Sequence, residues 1–178
     1  MFYALVILAA ASRCFPHPPN FACIGALGLF AGCYLRGRLS PIVPLAALLL
    51  SDLAGHWLEL PGMGFYSPIA MVGVYGGFAL AASLGRLLQR QRGPFRVAAA
   101  ACGSAVIFFL LSNLGVWASG MYPATWEGLV ACYTAALPFF RYTLAGDLVY
   151  TGVLFGAFEM VRLQLPQRLW GGKAILPA

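Results

Sequence analysis

Two carboxylates, an amide and a guanidinium lie within or at the edge of long apolar stretches of the chain. Asp52 and Asp147 could contact a substrate or act as acid and base, and Asn113 offers an amide donor and acceptor. Because desolvating such groups in a bilayer is costly, a polar side chain inside an apolar stretch indicates a functional site. With their polar and aromatic neighbours, the candidate substrate-binding residues are His17, Asn20, Asp52, Asn113, Trp117, Arg141 and Asp147.

Each candidate also has a purely structural interpretation. Asp52 could pair with Arg141, and Asp147 could form an ion pair with Arg141 or Arg13. Asn113 could bond only to the backbone of a neighbouring helix, which is the commoner use of a membrane asparagine. His17 and Trp117 could simply lie at the membrane interface, where imidazole and indole side chains are common. Binding and structural roles both remain open for these residues.

Motifs for catalysis or for metal binding are missing from the sequence. It contains no GxSxG, HExxH or Walker loop, and its five cysteines form no CxxC pair. The cysteines are therefore interpreted as small buried apolar residues, and no catalytic residue, metal or cofactor is predicted. An enzyme is the less favoured alternative: an intramembrane enzyme would use Asp52 and Asp147 as acid and base.

Composition predicts the elements that must position these residues. Of the 178 residues 61% are hydrophobic and only 9% are charged, whereas soluble domains carry about 25% charged residues. The net charge of +6 comes from basic residues in short gaps between apolar runs, which is typical of membrane topology and not of nucleic-acid binding. We therefore expect an all-α polytopic membrane bundle that forms one transmembrane domain over residues 1–178.

Six apolar segments can be drawn along the chain, and a seventh stretch is ambiguous. The stretch from Leu129 to Phe140 is short and contains Pro138, so it is interpreted as re-entrant or interfacial. If it spans instead, the number of helices becomes seven. The first twelve residues lack a basic start, so they are expected to be a retained helix and not a signal peptide. The predicted helices cover residues 2–14, 21–35, 41–57, 67–88, 97–119 and 142–163.

The distribution of basic residues predicts the orientation of the bundle. With six helices and both termini in the cytoplasm, nine of the eleven Lys and Arg residues fall on the cytoplasmic side. Arg13 and Arg141 are the two that fall outside. In this topology the candidate residues come from four separate stretches, yet all reach the outer half of the bundle. The sequence therefore predicts a polar cavity with aromatic edges that opens to the outside.

Several motifs resemble a family of uncharacterised bacterial integral membrane proteins. That family is similar to the substrate-binding S components of energy-coupling factor (ECF) transporters, with a short first helix, a Pro-rich loop, a Gly-rich second helix and six helices. The resemblance covers nearly the whole chain. The motifs are Arg13-x-x-Pro16-His17-Pro18-Pro19-Asn20-Phe21, Gly25-Ala26-Leu27, Pro44-Leu45-Ala46-Ala47, Leu50-Ser51-Asp52, Ser112-Asn113-Leu114-Gly115-Val116-Trp117, Tyr122-Pro123, Pro138-Phe139-Phe140 and Gly146-Asp147.

The resemblance implies a binding protein for uptake of a vitamin or related micronutrient across the bacterial inner membrane. In S components the ligand lies in the outer half of the bundle, under the loops after helices 1, 3 and 5. The implied partners are a transmembrane coupling protein and two ATPases. In S components the coupling surface involves small residues on helix 1; Ala9, Ala10 and Ala11 are present here, but they do not form a clean alanine repeat.

A third possible function is a structural subunit of a membrane complex. Small residues recur at four-residue spacing, which lets helix backbones approach closely within the chain or against a partner. These glycine pairs are Gly28 and Gly32, Gly73 and Gly77, and Gly152 and Gly156.

Overall fold

The computed structural model describes residues 2–35, 39–60 and 63–164, and every regular element within these ranges is helical. The predicted all-α class is therefore confirmed for the described part of the chain. Four of the basic residues behind the predicted topology lie outside the described residues: Arg36, Arg38, Arg168 and Lys173. The helices are α1 Phe2–Cys14, α2 Ile24–Tyr34, α3 Leu39–Trp57, α4 Pro68–Leu84, α5 Pro94–Val116 and α6 Trp126–Gln164.

Short irregular helical segments extend two of these helices. A 3-10 segment, Gly85–Gln89, continues α4, and a π-helical segment, Trp117–Met121, continues α5. With these extensions, three helices are long and apolar enough to cross a membrane: Pro68–Gln89, Pro94–Met121 and Trp126–Gln164. Two other apolar helices, α1 and α2, have only 13 and 11 residues, so at about 1.5 Å per residue each is shorter than a membrane core.

The sequence prediction for Leu129 to Phe140 is wrong. This stretch is not a separate re-entrant segment, because it belongs to α6, which runs without interruption for 39 residues. Pro138 lies inside the helix and does not end it, because neighbouring helices can compensate for the hydrogen bond that proline removes. At about 1.5 Å per residue α6 is roughly 58 Å long, nearly twice the thickness of a bilayer core.

Helix α2 is the centre of the bundle, and every one of its residues is buried. Glycines on α2 and α4 let backbones meet almost directly. A Cβ on Gly32 would lie 2.9 Å from the Cα of Gly85, and a Cβ on Gly73 would lie 2.9 Å from the Cα of Gly115. Because α2 contacts α3, α4, α5 and α6, it fixes the positions of the helices that surround the cavity described below.

Two buried clusters surround the two ends of α2. Around its first half, Ile24 and Leu27 pack with Val43 and Leu48 of α3. Around its second half, a cluster of rings joins α2 to the end of α6: Phe30 and Tyr34 meet Phe155 and Phe158 at centroid separations between 4.3 and 5.7 Å. The first half has fewer aromatic rings, and the main cavity of the molecule opens beside it.

Candidate ligand cavity

A cavity of about 630 Å³ lies between the loop after α1 and helices α2 to α6. Its wall combines the backbone-rich loop, apolar side chains from the helices, and a small number of charged groups. The residues that line it are Arg13, Cys14, Phe15, Pro16, His17, Pro19, Asn20, Ala22, Ile24, Leu48, Leu60, Met63, Tyr66, Val74, Phe78, Phe108, Thr143 and Asp147.

The Pro-rich loop after α1 forms one rim of the cavity. Asn20 has a positive φ of 64°, which asparagine tolerates better than most residues, and this conformation accompanies a tight turn with a 3.0 Å bond from the Phe21 amide to the Pro18 carbonyl. His17 lies within 2.9 Å of the Pro18 carbonyl and 3.2 Å of the Arg13 carbonyl through its two ring nitrogens. The loop thus holds His17 and Asn20, two of the predicted residues, at the cavity.

Asp52 is fully engaged by neighbouring side chains. Arg13 Nη1 donates to its Oδ1 at 2.9 Å and also to the Ser51 hydroxyl, and the Tyr75 hydroxyl donates to its Oδ2 at 2.8 Å. The side chains of Arg13 and Asp52 are 14% and 7% exposed, so both charges are largely withdrawn from solvent. Because each carboxylate oxygen has a partner, Asp52 joins α1, α3 and α4. Asp52 does not line the cavity.

Tyr66 adds a hydroxyl group to the same side of the cavity. Partial burial raises the pKa of Tyr66 above its ordinary value of 10.0, with the Asp52 charge adding to the rise and the Arg13 charge opposing it. The Tyr66 hydroxyl therefore remains protonated at neutral pH and is available as a hydrogen-bond donor.

Asp147 of α6 has a different environment. It is 3% exposed, it lines the cavity, and it takes part in neither of the two ion pairs that the described residues form. The polar side chain that interacts with it is the Ser104 hydroxyl of α5. The geometry of that contact is poor, since Ser104 Oγ has no partner within normal hydrogen-bond limits. A carboxylate so placed lacks the charged partner that burial usually requires.

Gly25 makes room for the Asp147 carboxylate. A Cβ at Gly25 would collide with the carboxylate oxygens and would lie 2.8 Å from its Cγ. One residue earlier on α6, a Cβ at Gly146 would lie 3.2 Å from the Ala22 backbone nitrogen. The segment just before α2 and the middle of α6 therefore touch backbone to backbone, and this contact places the carboxylate against Gly25 of α2.

A line of polar side chains runs along the inner face of α6. Thr143, Asp147 and Thr151 recur at four-residue spacing, so they share one face of the helix, and all three are buried. Thr143 lines the main cavity, whereas Thr151 lines a second cavity of about 390 Å³ near the other end of the helix. The spacing of these three residues was visible in the sequence, but the contributions of Gly25, Ser104 and Thr143 were not predicted.

Besides Asp52, three more of the predicted site residues are not part of the cavity wall. Asn113 donates to the Phe109 carbonyl of its own helix at 2.7 Å, and Trp117 Nε1 donates to the Pro123 carbonyl at 3.0 Å. Arg141 is exposed; it donates to the Tyr142 hydroxyl at 2.8 Å and lies over that ring. Arg141 forms an ion pair with neither aspartate. Asp52 pairs with Arg13 instead, and Asp147 belongs to neither of the ion pairs of the described residues.

The remaining wall of the cavity is apolar. The rings of Phe78 and Phe108 stack with centroids 4.3 Å apart, and Ile24, Leu48 and Val74 complete this surface. Within the described ranges, no group of three or more His, Cys, Asp or Glu side chains could hold a metal ion. The cavity thus combines an apolar aromatic surface, a neutralised ion pair and one buried carboxylate without a cationic partner.

The second cavity lies beside Glu159, which forms an ion pair with Arg162. Arg162 Nη1 lies 3.5 Å from Glu159, and the Tyr34 hydroxyl donates to Glu159 Oε1 at 3.2 Å. The Arg92 guanidinium lies 4.8 Å from the centre of the Tyr34 ring. Both charged residues that line this cavity, Arg92 and Glu159, contact a neighbouring side chain. In the main cavity, by contrast, Asp147 has no cationic partner.

Over the described residues these observations define a class: an all-helical protein with three helices able to cross a membrane and a mostly apolar cavity that contains one buried carboxylate without a charged partner. Residues 1–168 match DUF6580, a family of unknown function, and the chain belongs to that family. No curated protein and no solved structure matches the chain.

Proposed function

We propose that this chain is a substrate-binding membrane protein for uptake of a vitamin or related micronutrient. The observation that carries the proposal is the cavity of about 630 Å³, which lies within the range of about 300–1,000 Å³ typical of small-molecule sites. Such sites are mainly apolar with a few convergent polar groups. Phe78, Phe108, Tyr66 and Asp147 provide that combination here.

The proposal includes a bundle of about six helices in the bacterial inner membrane, with both termini in the cytoplasm. The positive-inside distribution of basic residues supports this orientation, and it puts the loop after α1 on the outer side. A ligand would then enter past His17 and Asn20, which lie on the exposed rim, and would rest against the carboxylate of Asp147.

Similarity to ECF S components remains part of the proposal, including a coupling protein and two ATPases as partners. Contact through the alanines of α1 is the less supported part, because Ala9 and Ala10 are buried within this chain and only Ala11 is exposed. Uptake by this protein without a coupling partner is therefore an equally open form of the same function.

Two other functions have less support. An acid–base pair of Asp52 and Asp147 would need both carboxylates free to transfer protons, whereas Asp52 is held by Arg13 and Tyr75. A structural subunit would need free small-residue faces, but Gly28, Gly32, Gly73 and Gly77 all pack against neighbouring helices. Of the six glycines in these pairs, only Gly152 and Gly156 have open space around them.

The decisive experiment compares two substitutions on α4. Val74 lines the cavity, whereas Val72 is 73% exposed on the same helix. Val74→Trp should fill the cavity, and Val72→Trp should place the same added side chain on the outside. The full chain and both variants would be extracted gently, and the small molecules released on denaturation would be identified by mass spectrometry.

We expect one small molecule to accompany the unaltered protein and Val72→Trp, and to be missing from Val74→Trp. Folded Val74→Trp protein, verified by its elution as a single species, is required for this comparison. Recovery of the same molecule in equal amount from Val74→Trp, or its absence from the unaltered protein, would contradict the proposed function.

A further inference from the structure

We propose that the ligand of this cavity is an organic cation whose positive charge is held by Asp147. This inference rests on the proposed function and adds the chemical class of the ligand. It follows from the charges on the cavity wall, from the packing around the carboxylate, and from the apolar surface of the same cavity.

The charges on the wall favour a cation over an anion. Arg13 is the guanidinium that lines the cavity, and it is already neutralised by Asp52 at 2.9 Å. An anionic ligand would have to break that pair and leave Asp52 buried without its partner, which is costly. Asp147 has no cationic partner in either of the ion pairs found within the described ranges, so a cationic ligand would complete it.

The seat of Asp147 is built by rigid neighbours. Gly25 of α2 lies directly against the carboxylate, and Ser104 of α5 lies beside it with its hydroxyl buried. The carboxylate is thereby confined between two packed helices, yet it still lines the cavity. A confined carboxylate loses little conformational freedom when it binds a positively charged group, which favours affinity.

The apolar surface of the same cavity favours an organic cation over a metal ion. A dehydrated metal ion requires several oxygen or nitrogen ligands, and no cluster of three acidic, His or Cys side chains occurs among the residues that the structure describes. Phe78 and Phe108 instead present stacked rings, which can pack against a hydrocarbon body and attract a neighbouring cation. The volume of about 630 Å³ also suits an organic molecule.

The test uses three probes of similar size that differ in charge: benzylamine, benzyl alcohol and benzoate. Binding to the detergent-solubilised full chain would be titrated by saturation-transfer NMR at neutral pH, where benzylamine is a cation. The variants are Asp147→Asn and Glu159→Gln. Glu159 is the matched control, because it is an acidic residue of the same helix that lies outside the main cavity. Effects of the probes on the detergent are common to all variants.

We expect the unaltered chain and Glu159→Gln to bind benzylamine at least about tenfold more tightly than benzyl alcohol or benzoate, a factor that corresponds to about 1.4 kcal/mol. Asp147→Asn should lose this preference. Equal binding of benzyl alcohol or benzoate by the unaltered chain would overturn the inference while leaving a ligand-binding cavity. So would an unchanged preference for benzylamine in Asp147→Asn.

If none of the three probes binds, the molecule that accompanies the unaltered protein decides. A molecule that is cationic at neutral pH, lost from both Asp147→Asn and Val74→Trp, supports the inference. A neutral or anionic molecule lost from Val74→Trp overturns the inference and leaves the proposed function intact. The absence of any bound molecule removes both.

Discussion

Asp52 and Asp147 are both buried aspartates in helices beside the same cavity, yet their surroundings are opposite. Asp52 is 5% exposed and Asp147 is 3% exposed, so burial alone does not distinguish them. Asp52 receives Arg13 on one oxygen and Tyr75 on the other. Asp147 faces Ser104 and the backbone of Gly25. Within residues 2–35, 39–60 and 63–164 it forms no ion pair with a guanidinium or ammonium group.

The difference shows how neighbours assign a role to a membrane carboxylate. A carboxylate whose charge is balanced within the protein holds helices together, and its removal leaves the partner cation unbalanced. A carboxylate without such balance raises the energy of the empty protein and is available to a ligand. Asp52 therefore joins helices of the scaffold, whereas Asp147 is the residue that we propose holds the ligand.

The largest expected effect comes from removing the charge of Asp52. Asp52→Asn keeps the shape of the side chain but leaves Arg13, which is 14% exposed, without its counter-charge. We expect the free energy of unfolding to fall by about 3 kcal/mol, the lower end of the cost of breaking a buried pair. Denaturation with SDS in mixed micelles measures this quantity.

Asp147→Asn is the matched control for that measurement. It removes a buried charge that has no balancing cation, so stability should remain unchanged or increase. Equal losses of stability in the two variants would mean that Asp147 also has a structural charge partner, and the contrast between the two aspartates would fail.

A smaller effect is expected from the steric fit between Gly25 and Asp147. Gly25→Ala places a methyl group against the carboxylate, and overpacking of this kind costs about 1–3 kcal/mol. Gly152→Ala is the control, because a Cβ there meets nothing within 4 Å. Thermal unfolding in detergent would compare both variants with the unaltered chain.

A double variant makes the same point more specific. If the Asp147 carboxylate is what the new methyl group meets, Gly25→Ala should cost much less in a chain that already carries Asp147→Ala. An equal cost in both backgrounds would place the collision elsewhere on α6 and contradict the seat described for Asp147.

The hydrogen bond from Tyr75 to Asp52 should contribute less than the ion pair. Tyr75→Phe removes only the hydroxyl that lies 2.8 Å from Oδ2, and a hydrogen bond to a charged group contributes about 1.5–3 kcal/mol. We expect a loss near the lower value, because the Arg13 contact remains. Tyr3→Phe, at a residue that is 86% exposed, should leave the unfolding midpoint unchanged.

The sequence was sufficient for the helical class and for the positions of most helices, since long apolar runs separated by Pro, Gly and Arg determine both. It also pointed to His17, Asn20 and Asp147, which line the cavity. It failed at Pro138, because whether a proline ends a helix depends on the neighbouring helices.

Pairing was the other feature that the sequence could not supply. Arg13 is 39 residues from Asp52 along the chain, and nothing in the pattern of residues favours it over Arg141 as the partner. The placing of Asn113 and Trp117 away from the cavity has the same origin. The positions of Asn113 and Trp117 along an apolar helix predict their depth in the membrane. The direction in which each side chain points depends instead on how the helix is rotated against its neighbours.

The smallest effect is expected at the pair formed by Arg162 and Glu159, the exposed counterpart of the buried pair at Asp52. Its side chains are 40% and 41% exposed, so water and salt screen the interaction and its contribution should stay below about 0.5 kcal/mol. Arg162→Gln should therefore leave the free energy of unfolding nearly unchanged at any salt concentration, since Glu159 keeps the Tyr34 hydroxyl. A loss of stability comparable to that of Asp52→Asn would show that exposure does not determine the energetic contribution of the two ion pairs. That result would contradict the distinction between scaffold and surface charges in this protein.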